Sequence, residues 1–400
     1  MSDQPGRRDV VVLSAVRTAI GKYGGSLKDT APADLAALVT KEAVARSGAS
    51  PSDVGHVVFG NVIHTEARDM YLSRVATVNA GLPVETPALT VNRLCGSGLQ
   101  AIVSAAQTVA LGEADVAVGG GAEGMSRAQY WLPGLRWGQR MGPGGTVDAM
   151  VGALTDPFDD VHMGITAENV GEKWGISRED SDALAVESHR RAAAATAEGR
   201  FKGQIVPVEL KSRKGTTVFE ADEHTRADVT VDDMAKLRPA FKGDGIVTAG
   251  NASGVNDAAA AVVVADRATA ARLGVTPLGR LVSWTHVGVD PKYMGIGPVP
   301  AVRKLLDEAG LTVDEIDVFE VNEAFATQAL AVSRELGLPD EKTNPNGSGV
   351  GLGHPIGATG AILVVKALHE LARTGGRYAV VTMCIGGGQG IAALLEREAD

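Results

Sequence analysis

Residues 87–121 read PALTVNRLCGSGLQAIVSAAQTVALGEADVAVGGG, and residues 343–390 read TNPNGSGVGLGHPIGATGAILVVKALHELARTGGRYAVVTMCIGGGQG. Each is a β-prone run, a glycine-rich bend carrying one reactive side chain, an alanine-rich helix, a second β-prone run and a triple glycine. The match extends upstream. DLAALVTKEAVARSGASPSDVGHVVFGN (34–61) and PAVRKLLDEAGLTVDEIDVFEVN (300–322) are both amphipathic helices closed by a glycine, Gly48 or Gly310. In each, an acidic turn and a β-branched run ending in asparagine follow. Asn61 stands 34 positions before Cys95, and Asn322 stands 32 before His354. Strands alternating with helices imply parallel α/β units. Two matching sets imply a duplicated α/β fold, two halves related by pseudo-twofold symmetry. The stretch from about Met125 to Ser253 has no counterpart and reads as an inserted lobe reaching over the site. It holds the amphipathic helix SREDSDALAVESHRRAAAATAEG (177–199).

The bulk numbers narrow the function. Four hundred residues exceed one ordinary core. The 50 glycines are nearly twice an ordinary share and gather in short clusters. A net charge of −10 disfavours a nucleic-acid surface, which needs a basic excess. Two cysteines, Cys95 and Cys384, exclude a disulfide scaffold and point to a reducing compartment. The opening MSDQPGRRD lacks an apolar targeting core, the closing EREAD carries no sorting address, and no apolar run reaches membrane-spanning length. The expectation is cytoplasmic, without membrane partners.

Cys95 falls at a strand-to-helix turn between Leu94 and Gly96. Unpaired N–H groups at a helix start favour a thiolate, and flanking glycines allow a sharp bend, as in a nucleophile elbow. The alternative is a small buried structural cysteine. His354 occupies the matching place in the second half, where the positive helix end favours a neutral imidazole able to take a thiol proton. A lone histidine is more often a surface or satisfied core residue, so the repeat carries this assignment. Cys384 sits where a buried strand breaks into three glycines whose N–H groups could hold an oxyanion. Alone it would read as a small hydrophobe. Asn322 stays open between a helix N-cap and a catalytic amide. Gly119, Gly121 and Gly124 form GxGxxG, but the following MSRAQYWLPGLRWGQRMGPGG is no helix, so a dinucleotide site is rejected. There is no Walker lysine motif, and histidine and cysteine spacing indicates no metal.

NRLCGSGLQA (92–101), NASGVNDAAA (251–260), VNEAFA (321–326), GHPIGATG (353–360) and MCIGGGQG (383–390) together resemble the thiolase family, specifically type II β-ketoacyl-CoA thiolases. The resemblance runs from VRTAIGKYGG (16–25) to GIAALLE (390–396). It implies layered α-β-α-β-α halves with an inserted loop domain. Residues 1–124 plus 254–277 would form the N-terminal half, 125–253 the loop domain covering coenzyme A, and 278–400 the C-terminal half. It also implies that Cys95 carries the acyl group, His354 activates it, and Cys384 is the acid/base for the α-carbon. Asn322 would hold a water that forms one oxyanion hole with His354, and the backbone of Cys95 and Gly386 the other. Coenzyme A contacts would fall on His162, Met163, Arg226 and Ser253, with Leu154 and Phe325 as walls. Coenzyme A and acetyl-CoA would be substrates, with no tightly bound cofactor, and the protein would be a homo-oligomer, dimer or tetramer, with 125–145 a candidate contact.

The implied reaction is reversible thiolytic cleavage of 3-ketoacyl-CoA, or condensation of acetyl-CoA with acyl-CoA. Gly124, where the family usually has serine or asparagine, and NRL before Cys95, where lysine is commoner, depart from the pattern without touching the proposed catalytic atoms. TEARDMYLSR (65–74) looks more like broad-range bacterial β-ketothiolases linked to polyester metabolism. Two rivals remain. A β-ketoacyl synthase on the same fold would use two histidines where this chain has His354 and Cys384. A non-catalytic lipid carrier or scaffold would be expected to lack one of the four residues.

Overall fold

In a computed structural model the described residues are 8–213 and 215–398. Of the two chain ends read above for targeting signals, residues 1–7 and 399–400 lie outside them. The first half contributes strand β1 (Val10–Thr18), helix α1 (Pro32–Arg46), β2 (Val54–Gly60), α2 (Leu72–Asn79), β3 (Ala88–Val91), α3 (Ser97–Ala110) and β4 (Val116–Gly124). After the insertion, which holds α4 (Met163–Trp174) and α5 (Arg178–Ala197), comes β5 (Asn256–Asp266). The second half follows with β6 (Gly279–Gly288), α6 (Pro298–Ala309), β7 (Val318–Val321), α7 (Ala326–Leu336), α8 (Ile356–Thr374), β8 (Tyr378–Ile385) and β9 (Gln389–Glu396).

The duplication is visible in the strand order. The first half runs β3-β2-β4-β5-β1, and the second runs β7-β8-β9-β6. Numbering strands within each half gives 3-2-4-5-1 and 2-4-5-1. The missing third strand of the second half survives as a single parallel bridge between Phe319 and Thr343. At the seam β1 and β6 share only two pairs, Val11 with Arg280 and Val12 with Gly279. A sheet bonded so briefly can fold back on itself.

The three main apolar clusters define five layers. One lies outside the first half-sheet and gathers α1 and α2 (Leu35, Val39, Leu72) against Val57, Val118 and Val263. Another lies outside the second half-sheet and gathers α6 and α7 against Phe319, Val380 and Leu394. The largest holds α3 and α8 between the inner faces of both half-sheets. This is the expected α-β-α-β-α arrangement. Strands enclosed on both faces read as unbroken apolar runs, and β1, β4 and β5 are buried along almost their whole length. Leu99, Ile102 and Val103 on α3 are each at most 1% exposed, a gain of about 2 kcal/mol per side chain.

The glycine excess has a packing cause. A Cβ on Gly119 would lie 2.5 Å from Ile102 Cα, and one on Gly121 would lie 2.1 Å from the Gly357 carbonyl oxygen. The GxGxxG run is thus the interior of β4, which lets α3 and α8 close onto the sheet.

The insertion is stitched into both halves. Ile205–Val206 pairs with β1, and Arg17 forms a buried ion pair with Asp222 at 2.7 Å. Helix α5, capped by Ser177 as its sequence signals, sends Ser188 Oγ to Glu323 of the second half at 2.6 Å. No helix among the described residues is long and apolar enough to cross a membrane.

Candidate functional site

The starts of α3 and α8 meet at the centre of the molecule. A Cβ on Gly98 would lie 2.9 Å from the Gly357 carbonyl oxygen, and one on Gly360 would lie 2.3 Å from Leu99 N. Cys95 and His354 each stand three residues before this contact, so backbone crossing carries both side chains to one region. The glycines beside Cys95 serve close approach rather than the bend. Gly96 adopts ordinary right-handed angles, and Leu94 takes the turn at φ 45°. A non-glycine residue held there costs about 1–2 kcal/mol, and Ser97 helps to hold it. Ser97 Oγ accepts from Arg93 N at 2.8 Å and donates to the Leu94 carbonyl at 2.7 Å.

Cys95 keeps a partly open face, and its thiol receives the backbone N–H groups of Gly386 and of Cys95 itself. Burial dominates over these donors and pushes the thiol up to about 11. The helix-start effect expected from sequence does not prevail, because desolvating a thiolate outweighs a few aligned N–H groups. The sulfur therefore needs a base. Cys384 is fully buried at the end of β8, and its thiol is raised by burial first and then by the charge of Cys95. Its strand turns back through Gly386–Gly388, where Gly387 and Gly388 have φ of 80° and 82°.

His354 is buried, and burial lowers its imidazole to about 4, so it is neutral at ordinary pH. Its Nδ1 lies 2.6 Å from Thr359 Oγ1, its backbone N–H donates to Asn256 Oδ1 at 2.9 Å, and its Nε2 lies 3.4 Å from Asn322 Nδ2. Asn322 follows β7, and its Oδ1 is buried without a partner. It is not the side-chain cap of α7, whose N-cap is Phe325. No hydrogen bond among the described residues joins His354 directly to Cys95. Catalytic contacts are often long until substrate binds.

Three polar residues at this centre were not singled out from sequence. Thr359 and Asn256 lie inside the quoted motifs but carry no spacing that marks them. Glu123 had a readable signal, a lone charge in the buried run VAVGGGAEG. Its carboxyl accepts Gly357 N at 2.8 Å, Ile63 N at 3.1 Å, Val62 N at 3.2 Å and Asn61 Nδ2 at 3.1 Å. Burial raises it to about 8, against the pull of those N–H groups.

The expected coenzyme A residues divide. Met163, Phe325 and Cys384 share one apolar cluster, and a Cβ on Gly386 would lie 3.5 Å from Met163 Sδ. The His162 ring stacks on Phe241 at 4.6 Å, and Phe241 meets Phe325 edge-on at 6.3 Å. Leu154 and Cys95 share a second cluster with Ile63, Ala149 and Ile356. Ser253 joins the Met163–Phe325 cluster by its backbone, donating to the carbonyl of Ala324, a member of that cluster, at 3.0 Å. Arg226 is exposed, its N–H bonded to His189 Nδ1 at 3.1 Å. Among the described residues no hydrogen bond or ion pair links it to the cysteines.

Known proteins agree with this architecture. Residues 10–268 match the family described as "Thiolase, N-terminal domain", and 275–397 match "Thiolase, C-terminal domain". The chain is 67% identical over 391 residues to beta-ketothiolase BktB of Cupriavidus necator, covering 98% of this chain and 99% of that one. It superposes on the crystal structure of the Bacillus anthracis acetyl-CoA acetyltransferase with a TM-score of 0.97 at 46% identity, covering 99% of this chain and 100% of that one. With human mitochondrial 3-ketoacyl-CoA thiolase in complex with CoA the TM-score is 0.95 at 44% identity, covering 98% of each. The double domain match, the duplicated strand order and the paired helix starts lead to one conclusion: the chain belongs to the thiolase family.

Proposed function

We propose that this acyltransferase cleaves 3-ketoacyl-CoA thiolytically, and in reverse condenses acetyl-CoA with acyl-CoA, through an acyl thioester on Cys95. The observation that carries the reading is the pair of N–H groups, from Cys95 and Gly386, directed at the Cys95 sulfur beside a second buried thiol. In cleavage His354 takes the Cys95 proton, and the sulfur attacks the 3-keto carbon. The C2–C3 bond breaks, and Cys384 delivers a proton to C2 of the departing acetyl-CoA enolate. A coenzyme A thiolate then takes the acyl group from Cys95. In condensation Cys384 removes that α-proton. The enolate forms only if donors hold its oxygen, each worth about 3–4 kcal/mol. Asn322 with a bound water and His354 would serve one oxyanion, and the amides of Cys95 and Gly386 the other. The imidazole, neutral at ordinary pH, is free to accept a proton, and the raised thiols stay protonated until used.

His162, Met163, Leu154, Ser253 and Phe325 would wall the pantetheine arm, with Arg226 at its outer, charged end and the 125–253 segment as cover between the two halves. Similarity to BktB supports the broad-range subtype and a role in polyester or fatty-acid metabolism, with a cytoplasmic location. Trp137 and Met141, 89% and 93% exposed, support 125–145 as a contact in a homo-oligomer. A carrier or scaffold is disfavoured by the retention of all four reactive residues, and a synthase by Cys384 in place of a second histidine.

Incubating the protein with acetyl-CoA and weighing it intact tests the proposal. A gain of one acetyl group, lost in Cys95→Ala together with acetoacetyl-CoA turnover, is the expected result. Undiminished turnover by Cys95→Ala would refute it.

A further inference from the structure

Strand β7 is the edge of the second half-sheet and ends at Val321, one residue before Asn322. On one side Val321 pairs with Thr382 of β8, and Asn322 N donates to the Thr382 carbonyl at 3.0 Å. On the other side the chain comes alongside at the bridge between Phe319 and Thr343, where Asn344 N donates to the Phe319 carbonyl at 2.8 Å. It then turns away. Asn344 takes φ 48°, and the next residue, Pro345, has no N–H to give to a strand edge.

The side chain of Asn344 supplies what the backbone does not. Its Oδ1 accepts from Val321 N at 2.9 Å, and its Nδ2 donates to the Val321 carbonyl at 2.9 Å. One side-chain amide thus holds both backbone groups of the last strand residue, as the peptide units of a further strand would. The second Nδ2 proton goes to Glu323 Oε1, also at 2.9 Å. The same amide therefore grips the residues on either side of Asn322. Glycine would take that backbone angle without strain, so the asparagine contributes through its amide.

Asn322 needs such support. Among the described residues its side chain has one hydrogen-bond contact, Nδ2 at 3.4 Å from His354 Nε2, and its Oδ1 has none. Its place is set through its backbone. We infer that Asn344 is a positioning residue for the reaction, fixing the end of β7 so that the Asn322 amide stands beside His354 where an oxyanion forms. The inference rests on the reaction proposed above. There the amides of Cys95 and Gly386 flank the sulfur and serve the acyl carbonyl it carries, which leaves the Asn322 side for the enolate oxygen. Loosening Asn344 then slows carbon–carbon bond formation more than acyl transfer between Cys95 and coenzyme A.

The test uses full-length Asn344→Gly, which accepts the φ of 48° and removes the amide. Two rates are read in parent and variant. One is acetoacetyl-CoA formation from acetyl-CoA; the other is exchange of labelled coenzyme A into acetyl-CoA, which needs only acylation and deacylation of Cys95. The kcat of condensation should fall about ten- to a hundredfold, as for a reacting group displaced by about 1 Å, with KM and the exchange rate little changed. Asn344→Asp, nearly the same shape, keeps the acceptor for Val321 N but loses the paired donors. It should show the same split, and it serves if the glycine variant folds poorly. Equal losses in both rates, or condensation unchanged in both variants, would overturn the inference. Failure of the parent to exchange coenzyme A would instead overturn the reaction proposed above.

Discussion

Thr359 Oγ1 lies 2.6 Å from His354 Nδ1, and the same hydroxyl donates its single proton to the Pro355 carbonyl at 2.9 Å. With the hydroxyl proton on that carbonyl, the oxygen accepts from the ring. That places the imidazole proton on Nδ1 and leaves the Nε2 lone pair free, a tautomer assigned from the hydrogen-bond network. Asn322 Nδ2, 3.4 Å from Nε2, is a donor matched to that lone pair. Thr359→Val removes the acceptor and frees the ring to take the other tautomer. The expected outcome is a kcat lower by about ten- to a hundredfold with KM little changed, since a positioned general base contributes roughly 10²–10⁴. Thr359→Ser should recover most of the loss. Steady-state thiolysis of acetoacetyl-CoA checks both, and a valine variant with parental kcat would remove Thr359 from the site's logic.

The Cys95 thiol, raised to about 11 by burial, is protonated throughout the neutral range. The sign follows directly: a thiol raised above its usual value becomes thiolate only as pH climbs toward that higher value. Alkylation of Cys95 by iodoacetamide, followed by intact mass, should accelerate about tenfold per pH unit from pH 7 to 9.5, without levelling off. A plateau at or below pH 8 would mean that a preformed thiolate exists and that burial is not the dominant influence.

Glu123 ties the two halves together by accepting N–H groups from Val62 and Ile63 of the first and Gly357 of the second. Glu123→Ala orphans the buried amides of Ile63 and Gly357 and the half-buried amide of Val62. The expected destabilisation is about 3 kcal/mol or more, read as a lower urea midpoint. Glu123→Gln keeps a carbonyl acceptor and should cost less. Equal midpoints for parent and alanine variant would show that the amides find other partners.

Much of this molecule was readable along the chain. The repeat located both helix starts, and the structure pairs them. The helix at 177–199 appears as Arg178–Ala197 with the cap its sequence signals. The broken helical pattern after Gly124 rightly excluded a dinucleotide loop. Other features were opaque for physical reasons. Gly119–Gly121 and Gly386–Gly388 are alike as sequence, yet the first triplet is strand interior and the second a turn. A glycine that admits a neighbour's backbone cannot be told locally from one that bends its own. The effect of burial on Cys95 was equally hidden, since desolvation depends on what packs above the sulfur and not on what flanks it.

The order of residues alone determined the duplicated α/β plan and named the candidate reactive side chains, because hydrophobic period, caps and turn residues act over a few positions. Only the tertiary structure decided the protonation of Cys95 and His354, the tautomer set by Thr359 and the clamp at Glu123. Each of these depends on atoms far apart in the chain, brought within a few ångströms by the packing of α3 and α8 between the two half-sheets.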